Sequence, residues 1–260
     1  MSFEVLWGRP DGATPIDVHD VPVPIAGLAA GLDGFRLAVL SDLHFGRFVR
    51  DGYARRVVGL INAERPDAIL TLGDLVSSRY SRTESCAEVL AELRAPRGVL
   101  GCLGNHEYYV GARFTAESFR RAGIDVLVNA HRRLRAAGGA ELVVAGLDDH
   151  RRGRPDERKA LAGVDADLPV ILMCHNPDRA EMLPDGIRVD LMLSGHTHGG
   201  QIVVSHRPVF TRIKCRKYSS GLAQGPRCQV YTSRGVGMVA LPLRINCRPE
   251  IPVIRLVRGK

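Results

Sequence analysis

The sequence predicts an α/β fold, a four-layer α-β-β-α sandwich of two mixed β-sheets flanked by helices. Two observations carry that expectation. Apolar runs of strand length alternate with segments of helical periodicity through the first two thirds of the chain. The last third is β-rich, and a plain doubly wound sheet has no use for such a tail.

The elements follow in order. FRLAVLS (35–41) precedes a helix over 51–64, where Val57, Leu60 and Ile61 recur at helical spacing. AILTLG (68–73) precedes a helix over 82–94, with Cys86, Val89, Leu90 and Leu93 on one face. GVLGCLG (98–104) precedes a helix over 112–122, and DVLVN (125–129) reads as a further strand. RRLRA, Gly138-Gly139 and ELVVAGL then form a β-hairpin pattern. A short helix over 155–162 leads to PVILMC (169–174), and a helical turn over 178–183 leads to VDLMLSG (189–195). QIVVS, CQVYTS and IPVIRLV supply the final strands. Residues 35–260 read as one domain and residues 1–34 as an extended lead-in, in which Trp7 has no assigned place.

Composition narrows the class. The chain has 260 residues, 45% hydrophobic and 25% charged, enough for one large domain with a substantial core. VPVPIAGLAAGL (21–32) is too short to span a bilayer, carries two prolines and lacks a basic n-region. The expectation is therefore a cytoplasmic protein, at most peripheral to the inner membrane. Six cysteines without C-x-x-C spacing read as reduced, packed thiols, with a structural zinc among Cys215, Cys228 and Cys247 as the lesser alternative.

The net charge of +8 is concentrated. Residues 191–249 hold nine Lys or Arg and no Asp or Glu, where the chain's own average predicts about six acids. A solvated basic face is one reading. A positive field around an anionic ligand is the reading favoured here, because two closely spaced histidines fall in the same stretch.

Those histidines belong to a larger pattern. FRLAVLS runs into Asp42-Leu43-His44, AILTLG into Asp74, and GVLGCLG into Asn105-His106-Glu107. PVILMC runs into His175, and VDLMLSG into His196-Thr197-His198. Each piece alone is weak, since an Asp after a strand is more often a cap or turn former. Together they place seven oxygen or nitrogen donors where open α/β sheets put their sites, at the C-terminal strand ends. Carboxylate and imidazole without thiolate suit Mn²⁺, Fe²⁺ or Zn²⁺, and seven donors exceed what one catalytic zinc needs. Two ions sharing a bridging carboxylate would use them all.

This ordered set, Asp42-Leu43-His44, Gly73-Asp74, Gly104-Asn105-His106-Glu107, His175 and Gly195-His196-Thr197-His198, resembles the calcineurin-like metallophosphoesterases over residues 35–200. GGQI, RKYSSGL (216–222), YTSRGVG (231–237) and LPLRINCRPEI (241–251) make the tail similar to the YaeI/YkuE-type bacterial phosphodiesterases. Members of that subgroup often carry an N-terminal membrane segment, which is not seen here. The resemblance implies that Asp42, His44 and His198 hold one ion, that Asn105, His175 and His196 hold the other, and that Asp74 bridges. His106 would face the substrate phosphate and donate toward the leaving oxygen, while the ion pair generates a hydroxide from a shared water.

The substrate class is less sharply marked. Gly73-Asp74-Leu75-Val76 continues as Ser77-Ser78-Arg79, without the second Asp of the protein Ser/Thr phosphatases. The acid-free segment favours an anionic phosphoester with more than one negative group, and the resemblance makes a glycolipid precursor such as UDP-diacylglucosamine, of lipid A synthesis, the leading candidate. The basic segment 207–217, with Val209, Phe210, Ile213 and Tyr218, could rest on an anionic membrane. A nuclease or cyclic-nucleotide phosphodiesterase is the enzymatic alternative, ranked lower because only 5% of residues are aromatic. A non-catalytic scaffold with the same fold is the alternative of another class.

Overall fold

The computed structural model describes residues 4–7, 14–77, 82–209 and 211–259. Ser78, Arg79 and Phe210 therefore lie outside the described residues. The first part of the chain comprises β1 (Val5–Trp7), β2 (Asp17–Ile25), β3 (Arg36–Leu40), α1 (Asp51–Ala63), β4 (Ala68–Thr71) and α2 (Thr83–Leu90). It continues through β5 (Val99–Gly101), α3 (Asn105–Val110), α4 (Ala112–Arg121), β6 (Ile124–Val126), β7 (Ala130–Arg135), β8 (Glu141–Gly146) and α5 (Glu157–Ala160). Then come β9 (Val170–Met173), β10 (Leu191–Ser194), β11 (Val203–Val204) and β12 (Arg207–Pro208). The last strands are β13 (Gly221–Gln224), β14 (Gln229–Thr232), β15 (Leu243–Ile245) and β16 (Glu250–Arg258).

Two six-stranded sheets dominate, in the orders β2-β16-β3-β4-β5-β6 and β13-β14-β10-β9-β8-β7. Both are mixed. β3 through β6 run parallel, while β16 joins β3 antiparallel and β2 parallel. In the second sheet β8, β9, β10 and β14 are parallel, with β7 and β13 added antiparallel at the edges. The central strands AILT, VILM and LMLS are buried at every position, as parallel strands covered on both faces must be.

Packing explains the layers. Leu37, Val39 and Leu70 meet Val144, Ile171 and Leu193 between the two sheets. On the outer face of the first sheet, Val57 and Ile61 of α1, Val89 of α2 and Phe119 of α4 close a second core. The outer layer on the second sheet is thinner: four-residue α5 and a 3₁₀ turn at Pro177–Met182 cover Leu172 and Met192. The α-β-β-α order holds, with unequal outer layers.

The beginning of the chain takes part in the sheets. Within the extended lead-in, β2 forms nine residue pairs with β16 and closes the first sheet's edge. Trp7 lies in β1, opposite Leu243 of β15. Neither pairing has a local sequence signal, since each joins positions more than 200 residues apart.

Candidate metal centre

The ends of β3, β4, β9 and β10 converge along the seam between the sheets, and the loop entering α3 joins them. Asp42, His44 and His198 form one group of donors, Asp74, His175 and His196 a second, and His44, Asp74 and His106 a third, each within 4.8 Å. His44 Nε2 lies 3.0 Å from His198 Nε2, and His198 Nε2 lies 3.4 Å from Asp42 Oδ1. Across the seam, His175 Nε2 is 3.2 Å from Asp74 Oδ2 and 3.3 Å from His196 Nδ1. Asp74 Oδ2 is also 3.8 Å from His44 Nε2, so this carboxylate stands between the two groups. Among the described residues these groups contain no cysteine.

The backbone reaches this geometry under strain. Asp42, His44, Asp74, His196 and His198 all adopt positive φ, between 49° and 70°, a region side-chain-bearing residues rarely occupy. Such outliers cluster where a site, rather than the chain, dictates conformation. Gly195 is required for a different reason: a Cβ there would strike the Asp42 carboxylate and the Ser41 hydroxyl.

Surrounding groups orient the donors. His175 Nδ1 lies 2.7 Å from the Leu72 carbonyl, which fixes the tautomer and turns Nε2 toward Asp74. Glu107 is fully buried, and its carboxylate accepts from the backbone N–H groups of Asp74, Leu75 and Gly104, each at 2.8 Å. It thereby joins the Asp74 turn to the start of α3. Asp74 Oδ1 accepts from the His106 N–H at 2.8 Å. Opposite them, Arg244 is fully buried and donates to the carbonyls of His198, Arg234, Gly235 and Gly237. Its Nη2 lies 3.5 Å from His198 Nδ1. Gln201, also buried, ties the following turn to Val239 and Leu241.

Burial sets the charge states. It pushes the His44 and His196 imidazoles down to about 3 and holds His198 well below the usual imidazole range. Neutral imidazole is the form that binds metal. His175 differs: burial opposes its charge, but Asp74 beside it outweighs burial and raises it, while His175 in turn lowers Asp74. Burial, reinforced by Asp74, lifts Asp42 to about 6, and burial likewise lifts Glu107 to about 7. His106 is lowered by burial.

The donor set fits a divalent metal. Asn105 Oδ1 is buried and has no hydrogen-bond partner, and the same is true of His44 Nδ1. An orphaned amide oxygen next to three neutral imidazoles and two carboxylates is costly without a cation to receive it. His106 sits at the mouth of the cluster, its Nε2 4.0 Å from Asp74 Oδ2 and its ring edge-on to His44 at 4.5 Å. A cavity of about 490 Å³ opens there, lined by His44, Arg47, Phe48, His106, Tyr109, Arg212 and residues 238–240.

All eight residues singled out from the sequence are therefore near one another, and the charged residues behave differently from expectation. Much of the basic excess of residues 191–249 is neutralised by acids from elsewhere. Arg234 pairs with Glu250 and Asp17, Arg248 with Glu4, Lys217 with Glu181 and Arg227 with Asp185. Of the nine cations only Arg212 lines the cavity. The loop at 148–154 brings Arg151 Nη1 to 3.3 Å from His196 Nε2. Its signal was present: Asp148-Asp149 follow the apolar run of β8 as the other site residues follow theirs.

A carboxylate–imidazole cluster across two packed sheets is a donor set suited to divalent metal. The calcineurin-like phosphoesterase family matches residues 35–200, and the chain belongs to that family. It is 35% identical to the metallophosphoesterase YkuE of Bacillus subtilis over 230 residues, which span 87% of this chain and 80% of YkuE. It is also 35% identical to the phosphodiesterase YaeI of Escherichia coli over 229 residues, 86% of this chain and 82% of YaeI. Among solved structures, a 5′-nucleotidase precursor from Thermus thermophilus superposes with a TM-score of 0.53 at 14% identity. That match covers 86% of this chain and 54% of the nucleotidase, and the likeness is one of fold. Among the described residues no helix is long and apolar enough to cross a membrane.

Proposed function

We propose that the chain is a metal-dependent phosphodiesterase cleaving a phosphodiester or pyrophosphate bond in an anionic substrate. The observation that carries this reading is the convergence of Asp42, His44, Asp74, Asn105, His175, His196 and His198 on one seam. Asp42, His44 and His198 would hold one divalent ion and Asn105, His175 and His196 a second, with Asp74 shared. Divalent ions there supply Lewis acidity, which acidifies a water near neutral pH and offsets charge on the phosphate oxygens.

The chain's own residues do the rest. His106 presents Nε2 at the cavity mouth, held between the His44 and Tyr109 rings, where it donates toward the leaving oxygen. Arg47 and Arg212 give one part of the cavity positive charge, while Phe48, Met238 and Val239 make another part apolar. That division supports a substrate with an anionic head and an apolar neighbour, and a glycolipid pyrophosphate such as UDP-diacylglucosamine is the leading specific candidate.

Metal analysis of the purified protein, followed by turnover of bis(p-nitrophenyl) phosphate against p-nitrophenyl phosphate, tests the reading. Retained divalent metal and preference for the diester are expected. His106→Ala should lose at least ~10²-fold in turnover and keep its metal. Loss of metal from that variant would make His106 a ligand, and protein that neither retains metal nor hydrolyses either ester ends the proposal.

A further inference from the structure

We infer that Arg151 and Arg152 form a subsite for a second anionic group of the substrate, beyond the phosphorus that reacts. The inference rests on the phosphoesterase reading and extends it. The loop after β8 folds inward around its own acids. Asp149 Oδ1 accepts from the N–H groups of Arg151 and Arg152 at 3.1 and 2.7 Å. Asp148 accepts from Asp149 N and Arg154 N, and Tyr108 of α3 donates its hydroxyl to the same carboxylate. Asn129 Oδ1 anchors both ends by accepting from Asp148 N and Asp156 N, each at 3.0 Å. A Cβ on Gly153 would collide with the Asp148 carboxylate, so the tight path needs glycine.

Asp148 and Asp149 Oδ1 are thus engaged within the loop, and the guanidinium groups of Arg151 and Arg152 contact His196 and Tyr109 instead. Arg151 lies against His196, on one side of the metal centre. Arg152 lies over the Tyr109 ring at 4.8 Å and donates to its hydroxyl at 3.0 Å, and the Tyr109 ring meets His106 at 5.5 Å. Consecutive arginines therefore touch His196 on one side and, through Tyr109, the His106 side of the metal centre, and Arg212 lines the cavity beside His106 and Tyr109. Among the described residues no carboxylate lies within ion-pair distance of Arg151 or Arg152. Holding cations next to a centre built for cations is unfavourable unless an anion comes between them. Both arginines are exposed, so an anion arriving from solvent can reach them beside the metal centre. Guanidinium forks match the oxygens of phosphate, sulfonate or carboxylate, which sets the ligand class.

Two chromogenic diesters with the same leaving group separate the alternatives: ethyl p-nitrophenyl phosphate and 2-sulfonatoethyl p-nitrophenyl phosphate. The protein loaded with manganese should favour the sulfonate ester by about tenfold in kcat/KM, mainly through KM. In R151A and in R152A that ratio should fall toward one, and in R152E it should invert. Equal turnover of the two esters by the unaltered protein overturns the subsite alone, as does a ratio that all three variants leave unchanged. Hydrolysis of neither ester removes the phosphoesterase reading and the subsite with it.

Discussion

On the side of the first sheet, a buried carboxylate, Glu107, gathers the N–H groups of the Asp74 turn and the start of α3. On the side of the second, a buried guanidinium, Arg244, gathers the carbonyls around His198 and residues 234–237. Both loops carry donors at positive φ, so neither keeps its shape by local preference. The difference lies in what each charge meets. N–H groups have one hydrogen and one partner each, whereas carbonyls have two lone pairs and can be shared. The His198 carbonyl, for example, also accepts from Gln201 N at 2.9 Å. The anionic clamp is therefore the stricter of the two.

Truncating each clamp is the largest test of that contrast. Glu107→Ala strands four buried N–H groups, those of Asp74, Leu75, Val76 and Gly104, and should cost about 3–5 kcal/mol of stability, with metal affinity falling by more than about tenfold. Arg244→Ala removes the buried charge together with its hydrogen bonds, and the His198 carbonyl keeps a second donor in Gln201 N. It should cost about 2 kcal/mol while still weakening metal binding by about tenfold. Denaturant midpoints and cobalt(II) titration followed by visible absorption measure both. Equal stability losses would break the comparison, and unchanged metal affinity in Arg244→Ala would reduce that residue to architecture.

Protons provide a second contrast. In the metal-free protein His175 holds its proton through neutral pH because Asp74 raises it, and Asp42 takes one up near pH 6. A metal must displace both, since ligands bind deprotonated. Both folded values are raised, so protons and metal compete more strongly as pH falls. Above pH 6.5 the dissociation constant should tighten about tenfold per pH unit, reflecting His175, and below pH 6 more steeply as Asp42 joins it. Calorimetry in buffers of different ionisation enthalpy counts the protons released. A flat affinity from pH 5 to 7 would show that neither group ligates in the form assigned.

The contrast also explains what the sequence made legible. Asp42, Asp74, Asn105, His175 and His196 each follow a mainly apolar strand, and that local rule exposes them. Glu107 is half legible, three residues after Gly104 in the position of a helix capping box, which marks a cap and not a clamp. Arg244 gave no such signal. It lies 46 residues beyond His198, within a basic stretch in which four other cations pair with acids from elsewhere in the chain, and only tertiary packing makes it buried. The same reason hid the pairing of β2 with β16 and the approach of Arg151 to His196. Charge counted along the chain does not reveal which charges are already partnered in space.

The smallest effect belongs to Thr197, between the two histidines. Its hydroxyl donates to the Ser219 carbonyl at 2.7 Å and accepts from Gly199 N at 3.1 Å, so the His-Thr-His turn has a local support independent of Arg244. Thr197→Val keeps the shape and removes both bonds, leaving the buried Gly199 N–H and the carbonyl of half-buried Ser219 unmet. The expected cost is about 1–2 kcal/mol, because the turn retains the Gly200 N–H bond to the Thr197 carbonyl. Metal affinity should change by less than about tenfold if Arg244 governs where His198 stands. A cobalt(II) titration in which Thr197→Val weakens binding as much as Arg244→Ala would move control of His198 from the guanidinium to the turn. The second loop would then be self-supporting, and the opposition of two buried charges would describe only the first.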